Sequence, residues 1–405
     1  MQQPLIQPFA AIRPAPGRAA DIIARPYDVL SFAEAKAGAA GRPWSFLHVS
    51  RAEIDLPAEV DAHSDAVYAQ AARAFAAMQS DAVLVRDAAP AYYAYRMIVD
   101  GHVQTGLATA ASTEAYAANR IRRHEHTRPD KEFDRTRQIE AVGAHTGPVL
   151  AAHLPSREIA MLLEAATLGE PSADAVTDDG VRHQVWPIVE HDAVERITAG
   201  FEAMAAIYIA DGHHRSAAAL RVARQGGDGR FLLVSFPADQ MRILGYNRII
   251  RDLNGRSPEQ LIAEVGDAFA VEASDLPVDP HRAGTFGMYL GGRWHRLSLR
   301  EPLPADVDAV ERLDVSLLMA RILGPILGIG DPRTDQRIDF VGGGRGVEAL
   351  AQRVDAGDWS VAFSLYPTAL ADLMAVADAG QVMPPKSTWF EPKLADGLLS
   401  LPLAG

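Results

Sequence analysis

"AIYIADGHHRSAAALRVAR" (residues 206–224) passes from an apolar run through Asp-Gly into two histidines and an arginine, and then into an alanine-rich stretch. The run Ala205–Ala210 is short and is stopped by Gly212, which predicts a buried strand, while the alanine-rich remainder predicts a helix beginning near Arg215. The first N–H groups of a helix lack intrahelical partners and carry the positive end of its macrodipole. A strand-turn-helix junction holding Gly212, His213, His214 and Arg215 therefore suits an anion, with phosphate the first candidate.

A second stretch has the same form. "NRIRRHEHTRPDKEFDRTRQ" (119–138) holds seven Arg or Lys against four acids, a local +3 in a chain whose net charge is −13. Pro129 suits the first turn of a helix, Asp130 and Glu132 suit its positive end, and Gly143 can stop it. His124, Glu125 and His126 then fall in the loop leading into that helix. A solvated, salt-bridged helix face is the alternative reading of such a charge run. If the two stretches share a function, the loop at 123–127 and the turn at 211–215 meet across one cleft.

Working outward, the chain reads as mixed α/β without repeats or low-complexity tracts. Residues 66–80 predict a helix, and 90–112 predict a hairpin turning at Asp100-Gly101. "GRFLLVSFP" (229–237) reads as a strand, and "TFGMYLGGRWHRLSL" (285–299) as a hairpin around Gly291-Gly292. Residues 337–354 and 359–380 read as two strand-turn-helix units. The expected division is an α+β portion over 1–180, a core over 181–300 that carries the Asp-Gly-His-His-Arg turn, and an α/β portion over 301–405.

Composition narrows the function classes. With 405 residues, 48% of them apolar, the chain can bury more than one core. It has no cysteine, which excludes disulfides, thiolate nucleophiles and Cys-based metal sites. The N-terminal stretch lacks the charged head and apolar core of a secretory signal, and "SLLMARILGPILGIG" (316–330) is interrupted by Arg321 and Pro325, so a cytoplasmic protein without a membrane span is expected. The acidic balance works against non-specific binding to nucleic acid. The glycines at 342, 343, 344 and 346 miss the G-x-G-x-x-G spacing, and no P-loop sequence occurs.

Four motifs in order, "ARPYDVL" (24–30), "RRHEHT…DKEFDRTRQIEAVGAHTGPVL" (122–150), "YIADGHHRSAAAL" (208–220) and "MPPKSTWFEPKLADGLL" (383–399), resemble domain-of-unknown-function family 1015. The turn is also similar to that of ParB/sulfiredoxin-like nucleotide-binding proteins, including free serine kinases. That resemblance implies a ParB/sulfiredoxin-like core with additional α/β elements, in which Gly212, His213, His214 and Arg215 hold nucleotide phosphates.

Phosphoryl transfer needs cations and dipoles around the moving group, a carboxylate to orient the attacking hydroxyl, and usually Mg²⁺. The expected set is Glu125, Asp211 and His124 for catalysis, and Gly212, His213, His214, Arg215 and Arg123 for the phosphates. Lys386, Ser387 and Thr388, rigidified behind Pro384-Pro385, join Tyr27 and Asp28 for substrate. ATP or ADP with Mg²⁺ is the expected cofactor, and no residue is assigned as a protein-held metal ligand. The expected function is a nucleotide-dependent phosphotransferase acting on a small serine- or phosphoserine-like hydroxyl metabolite. Alternatives are a phosphoserine-type phosphatase, a metal-dependent hydrolase drawing on His124, His126, His213 and His214, although these lack the H-E-x-x-H spacing, and a nucleotide-switched regulatory or DNA-binding protein.

Overall fold

In the computed structural model, which describes residues 3–304 and 306–403, the chain up to Met241 clusters with the returning tail from Pro392, and Arg242–Glu391 forms a second unit. The first unit contains, among the described residues, a nine-stranded sheet. Its strands are β1 (Ile6–Gln7), β2 (Tyr92–Val99), β3 (His102–Ser112), β4 (Ile121–Arg122), β5 (Val149–His153), β6 (Ala173–Val176), β7 (Arg182–Ile188), β8 (Ile207–Asp211) and β9 (Arg230–Pro237). Their spatial order is β4, β8, β5, β9, β3, β2, β7, β6, with β1 on β3. Helices α1 (Asp65–Ser80), α2 (Pro129–Val142), α3 (His191–Glu202) and α4 (His213–Arg224) belong to the same unit.

The sheet is mixed. β4 and β8 run parallel, with Ile121 beside Ile207 and Arg122 beside Tyr208, whereas β8 and β5 are antiparallel. Two neighbouring parallel strands deliver their C-terminal ends to the same edge of a sheet, so the loops that leave them start side by side. This register brings 123–128 and 211–215 together although 211 − 125 = 86 residues separate Glu125 from Asp211. The helices that follow the two loops, α2 and α4, pack on each other through Ile139, Ala218 and Val222. Ile207 and Ile209 are fully buried, each contributing roughly 1.5–3 kcal/mol, and hold β8 in a core with Ile121, Val149, Trp186 and Phe201.

The second unit carries a six-stranded antiparallel sheet of β10 (Tyr246–Ile250), β11 (Phe269–Ser274), β12 (Thr285–Leu290), β13 (Arg293–Leu299), β14 (Ile338–Gly342) and β15 (Val361–Leu365). Helices α5 (Pro258–Ala268), α6 (Glu348–Asp355) and α7 (Leu370–Asp378) accompany it. The boundaries expected near 180 and 300 fall inside these units. Gly180 lies in the turn joining β6 to β7 of one sheet, and residue 300 directly follows β13, whose partner β12 pairs with β15 beyond that point. Sheet pairing between distant segments, which no local pattern displays, sets the division. Among the described residues, no helix is long and apolar enough to cross a membrane.

Candidate active site

The turn after β8 is built from a bulge and a left-handed residue. The pairing of β8 with β5 shifts between Ile209 and Asp211, an irregularity that re-aims the side chain following it. Gly212 then caps α4 at φ 96°, ψ 27°, a conformation that a side chain resists. A Cβ at Gly212 would also come within 3.2 Å of the Arg215 Nε and 3.3 Å of the Val149 Cα. The helix begins at His213, two residues before the expected start, because Gly212 ends the strand and reverses the backbone in one step. His213 and His214 therefore occupy its first turn.

Arg215 is the centre of the charge arrangement. It is only 8% exposed, with Nη1 donating to the Pro148 carbonyl and Nη2 lying 3.4 Å from Asp28 and 3.6 Å from Asp211. Its guanidinium lies 6.0 Å from the Tyr27 ring centre, and that ring also receives Arg135 at 4.1 Å. Gly147 makes room, since a Cβ there would sit 3.2 Å from the Arg215 Cδ. Burial opposes the Arg215 charge, and Asp28, Asp211, Tyr27 and Asp396 outweigh it, holding the pKa above its ordinary value.

Asp211 accepts the Gly212 N–H at 3.0 Å and faces the Lys393 ammonium at 3.4 Å. Burial would raise its pKa, but Lys393, Arg215 and His213 together hold it well below the usual carboxylate range. Its side chain is 32% exposed, so the carboxylate is ionised and still reachable.

The second loop meets this turn through its histidines. Glu125 Oε2 lies 3.7 Å from His213 Nδ1, and the His124 and His213 rings are perpendicular with centroids 4.5 Å apart. The Arg128 N–H at the start of α2 donates to His214 Nε2 at 3.1 Å. Burial is the main cause that pushes His124 down to about 4 and His213 well below its ordinary value. It lowers His214 as well. The rings are neutral at pH 7, so the contact of Glu125 with His213 joins a carboxylate to an uncharged imidazole. His124 Nδ1 and His213 Nε2 are buried without a hydrogen-bond partner among the described residues. Arg123 is exposed, 6.0 Å from the Tyr116 ring centre.

The expected substrate group divides. Tyr27 and Asp28 belong to the Arg215 cluster. Lys386, Ser387 and Thr388 lie in the second unit, where the Lys386 carbonyl accepts from Arg248, its ammonium sits 5.6 Å from the Tyr246 ring centre, and the Ser387 hydroxyl donates to Pro384. The lysine that reaches Asp211 is Lys393, from the same closing motif. Asp396, three residues on, lines a narrow crevice with Tyr27, Arg135, Gln138, His145 and Arg215. Burial pushes its carboxyl up to about 7, against the opposing pull of Arg215. Spacing in the sequence favoured the conspicuous Pro-Pro-Lys, whereas the tail's return to the first unit, not a local signal, places Lys393 and Asp396. Among the described residues, no three His, Asp or Glu side chains form a group that could hold a metal ion; the imidazoles at 124 and 213 instead pack against each other.

The fold and turn are those of a mixed α/β protein with a polar strand-to-helix crevice. The chain belongs to the family described as Protein of unknown function (DUF1015), whose model matches residues 6–316. No curated protein matches it. Among solved structures it is similar to a free serine kinase in complex with AMP, at 12% identity and a TM-score of 0.39, covering 73% of this chain and 91% of that one. It is also similar to C-terminally truncated SbnI from Staphylococcus aureus, at 13% identity and a TM-score of 0.40, covering 73% and 87% of the two chains. A conserved hypothetical protein from Pyrococcus furiosus gives 13% identity and a TM-score of 0.35 over 72% and 94%.

Proposed function

We propose that this protein moves a phosphoryl group between a nucleotide, ATP or ADP, and a small hydroxyl metabolite of the serine or phosphoserine kind, on a ParB/sulfiredoxin-like turn. The observation that carries the reading is the meeting of two helix starts, at Pro129 and His213, with Glu125 3.7 Å from His213 at their junction. The open N–H groups and dipoles of α2 and α4 attract phosphate oxygens, and a carboxylate beside them orients a hydroxyl.

The roles divide by electrostatics. Asp211, held ionised by Lys393 and Arg215, is a weak proton acceptor and fits the task of fixing those two cations. Glu125, 42% exposed, is the carboxylate we assign to the acceptor hydroxyl. In the forward direction the hydroxyl oxygen bonds to the terminal phosphorus, the bond to the nucleotide's bridging oxygen breaks, and the hydroxyl proton passes to Glu125. Neutral His124 and His213 contribute ring nitrogens, His214 ties the two loops together, and Gly212 admits the phosphate to the backbone. Arg123 supplies an exposed charge at the approach. Tyr27 and Asp28 border the substrate. Mg²⁺ borne by a nucleotide needs only one or two protein carboxylates, and Glu125 and Asp211 are of the right kind; when bound, the ion would neutralise charge on the phosphates.

The test is turnover of ATP with L-serine, and of ADP with phosphoserine, followed by mass spectrometry alongside calorimetric nucleotide titration. Glu125→Gln is expected to lower turnover by about 10² with nucleotide affinity nearly intact. Unchanged turnover removes Glu125 from the role, and absence of nucleotide binding removes the reading. Phosphate release from phosphoserine without nucleotide would assign a phosphatase instead.

A further inference from the structure

The second unit contains a cavity that the proposed phosphotransfer does not use. Its volume is about 210 Å³, smaller than the roughly 300–1,000 Å³ of drug-sized sites and suited to a ligand of only a few heavy atoms. Val315, Met319, Leu323, Ile338 and Phe340 supply an apolar wall. Ala320 is exposed and lies at the rim. One wall is formed by Met319–Leu323, a π-helical turn continuing the helix Asp314–Leu318; such turns are rare and occur often at functional sites.

Arg248 closes the inner end. It lies on β10 opposite Phe340 of β14, is 4% exposed, and its guanidinium sits 5.2 Å from the Phe340 ring centre. Nη1 donates to the Tyr246 carbonyl and Nη2 to the Lys386 carbonyl at 3.0 Å, two of the five donors a guanidinium carries. Among the described residues no carboxylate pairs with it. Burial lowers its pKa to about 10, the signature of a cation that nothing anionic compensates. The Ser316 hydroxyl on the same lining is buried without a hydrogen-bond partner among the described residues.

From this geometry we infer that the cavity binds a small monocarboxylate with an apolar tail, its carboxylate on Arg248 and Ser316 and its tail along Met319, Leu323, Ile338 and Phe340. A planar carboxylate matches the remaining edge of the guanidinium fork. One compensating charge suits a monoanion, and the apolar wall suits a hydrocarbon chain better than a second polar group.

Hexanoate titrated into the full chain, followed by calorimetry and ligand-observed NMR, tests this. Hexanoate is expected to bind, with hexanol and inorganic phosphate each at least about tenfold weaker. Arg248→Gln should weaken hexanoate by about tenfold or more, and Ser316→Ala by a smaller factor. Ala320→Trp, a change at an exposed position that caps the mouth, should abolish binding while leaving the fold intact, and decides the matter if Arg248→Gln does not fold. No binding to the wild-type chain at about 10 mM, wild-type affinity in Arg248→Gln or Ala320→Trp, or phosphate binding as tightly as hexanoate would each overturn the inference.

Discussion

Arg215 and Arg248 are equally hidden, at 8% and 4% exposure, yet they are in opposite electrostatic states. Arg215 has Asp28 and Asp211 within 3.6 Å and a raised pKa. Arg248 has two backbone carbonyls, no carboxylate among the described residues, and a pKa lowered to about 10. Burial is common to both, so pairing decides which cation is locked into its surroundings and which stands ready for an incoming anion. The first unit uses its charges on one another at the turn, and the second leaves one uncompensated beside an apolar cavity.

The largest expected effect separates the two units by pH. His124, His145, His153 and His183 are each pushed down to about 4, chiefly by burial, and burial also holds His213 well below its ordinary value. All five belong to the first unit. A histidine with a folded pKa below its unfolded value of about 6.5 contributes stability above pH 6.5 that is lost as pH falls toward 4. Asp396, raised to about 7, works in the opposite sense for one proton, so near pH 5 the unfolded first unit binds several more protons than the folded one and stability falls as the pH is lowered. In the second unit a lowered His295 is offset by Asp314, raised to about 6. Hydrogen exchange of the whole chain, corrected for intrinsic rates, should show β4 and β8 losing protection between pH 6.5 and 4.5 while β10 and β15 keep theirs. Parallel loss in both sheets would break the contrast.

Substituting the two arginines probes the contrast directly. Arg215→Met leaves Asp28, Asp211 and Asp396 around an apolar side chain, and since two of these are about one-third exposed we expect a loss of about 3 kcal/mol, at the low end for a broken buried pair. Arg248→Met removes a charge whose burial disfavours it by about 3 kcal/mol, offsetting the loss of two charge-assisted bonds of roughly 1.5–3 kcal/mol each. We expect a net loss of about 0–3 kcal/mol, on average roughly half that of Arg215→Met. Local unfolding free energies from hydrogen exchange measure both, and equal losses would show that pairing does not distinguish the sites.

The sequence makes some of this arrangement readable and hides the rest. The hairpins at Asp100-Gly101 and Gly291-Gly292 are legible because both turn residues in each take positive φ, which few residue types adopt. The strand before Gly212 is legible for its short apolar run. Helix α2 is legible from Pro129 at its start and from Gly143, left-handed at φ 70°, at its end. Long-range facts are not written locally. That β4 lies parallel beside β8, that residues 392–403 return to the first unit, and that Lys393 instead of Lys386 meets Asp211 all depend on contacts across more than eighty residues. The histidine cluster was visible, but its neutrality follows from burial, which a motif does not display.

Asp396 carries the finest test of what pairing means at Arg215. Among the described residues its two carboxyl oxygens are buried without a well-placed hydrogen-bond partner, and burial, raising its pKa to about 7, keeps it mainly protonated below neutrality, so there Arg215 counts only Asp28 and Asp211 as full charges. Between pH 5 and 7 the folded chain then holds one proton there that the unfolded chain, with a carboxyl pKa near 3.9, has released. Wild-type stability therefore falls with rising pH by about 2–3 kcal/mol from this group. Asp396→Asn cannot titrate, and the histidine contributions are common to both chains and cancel in the difference. The variant should gain about 2–3 kcal/mol relative to wild type between pH 5 and 7, read from denaturant unfolding of the first unit by hydrogen exchange. A difference that stays constant with pH would mean that Asp396 is ionised throughout, making it a third carboxylate on Arg215 and widening the gap between the two arginines beyond what Asp28 and Asp211 alone produce.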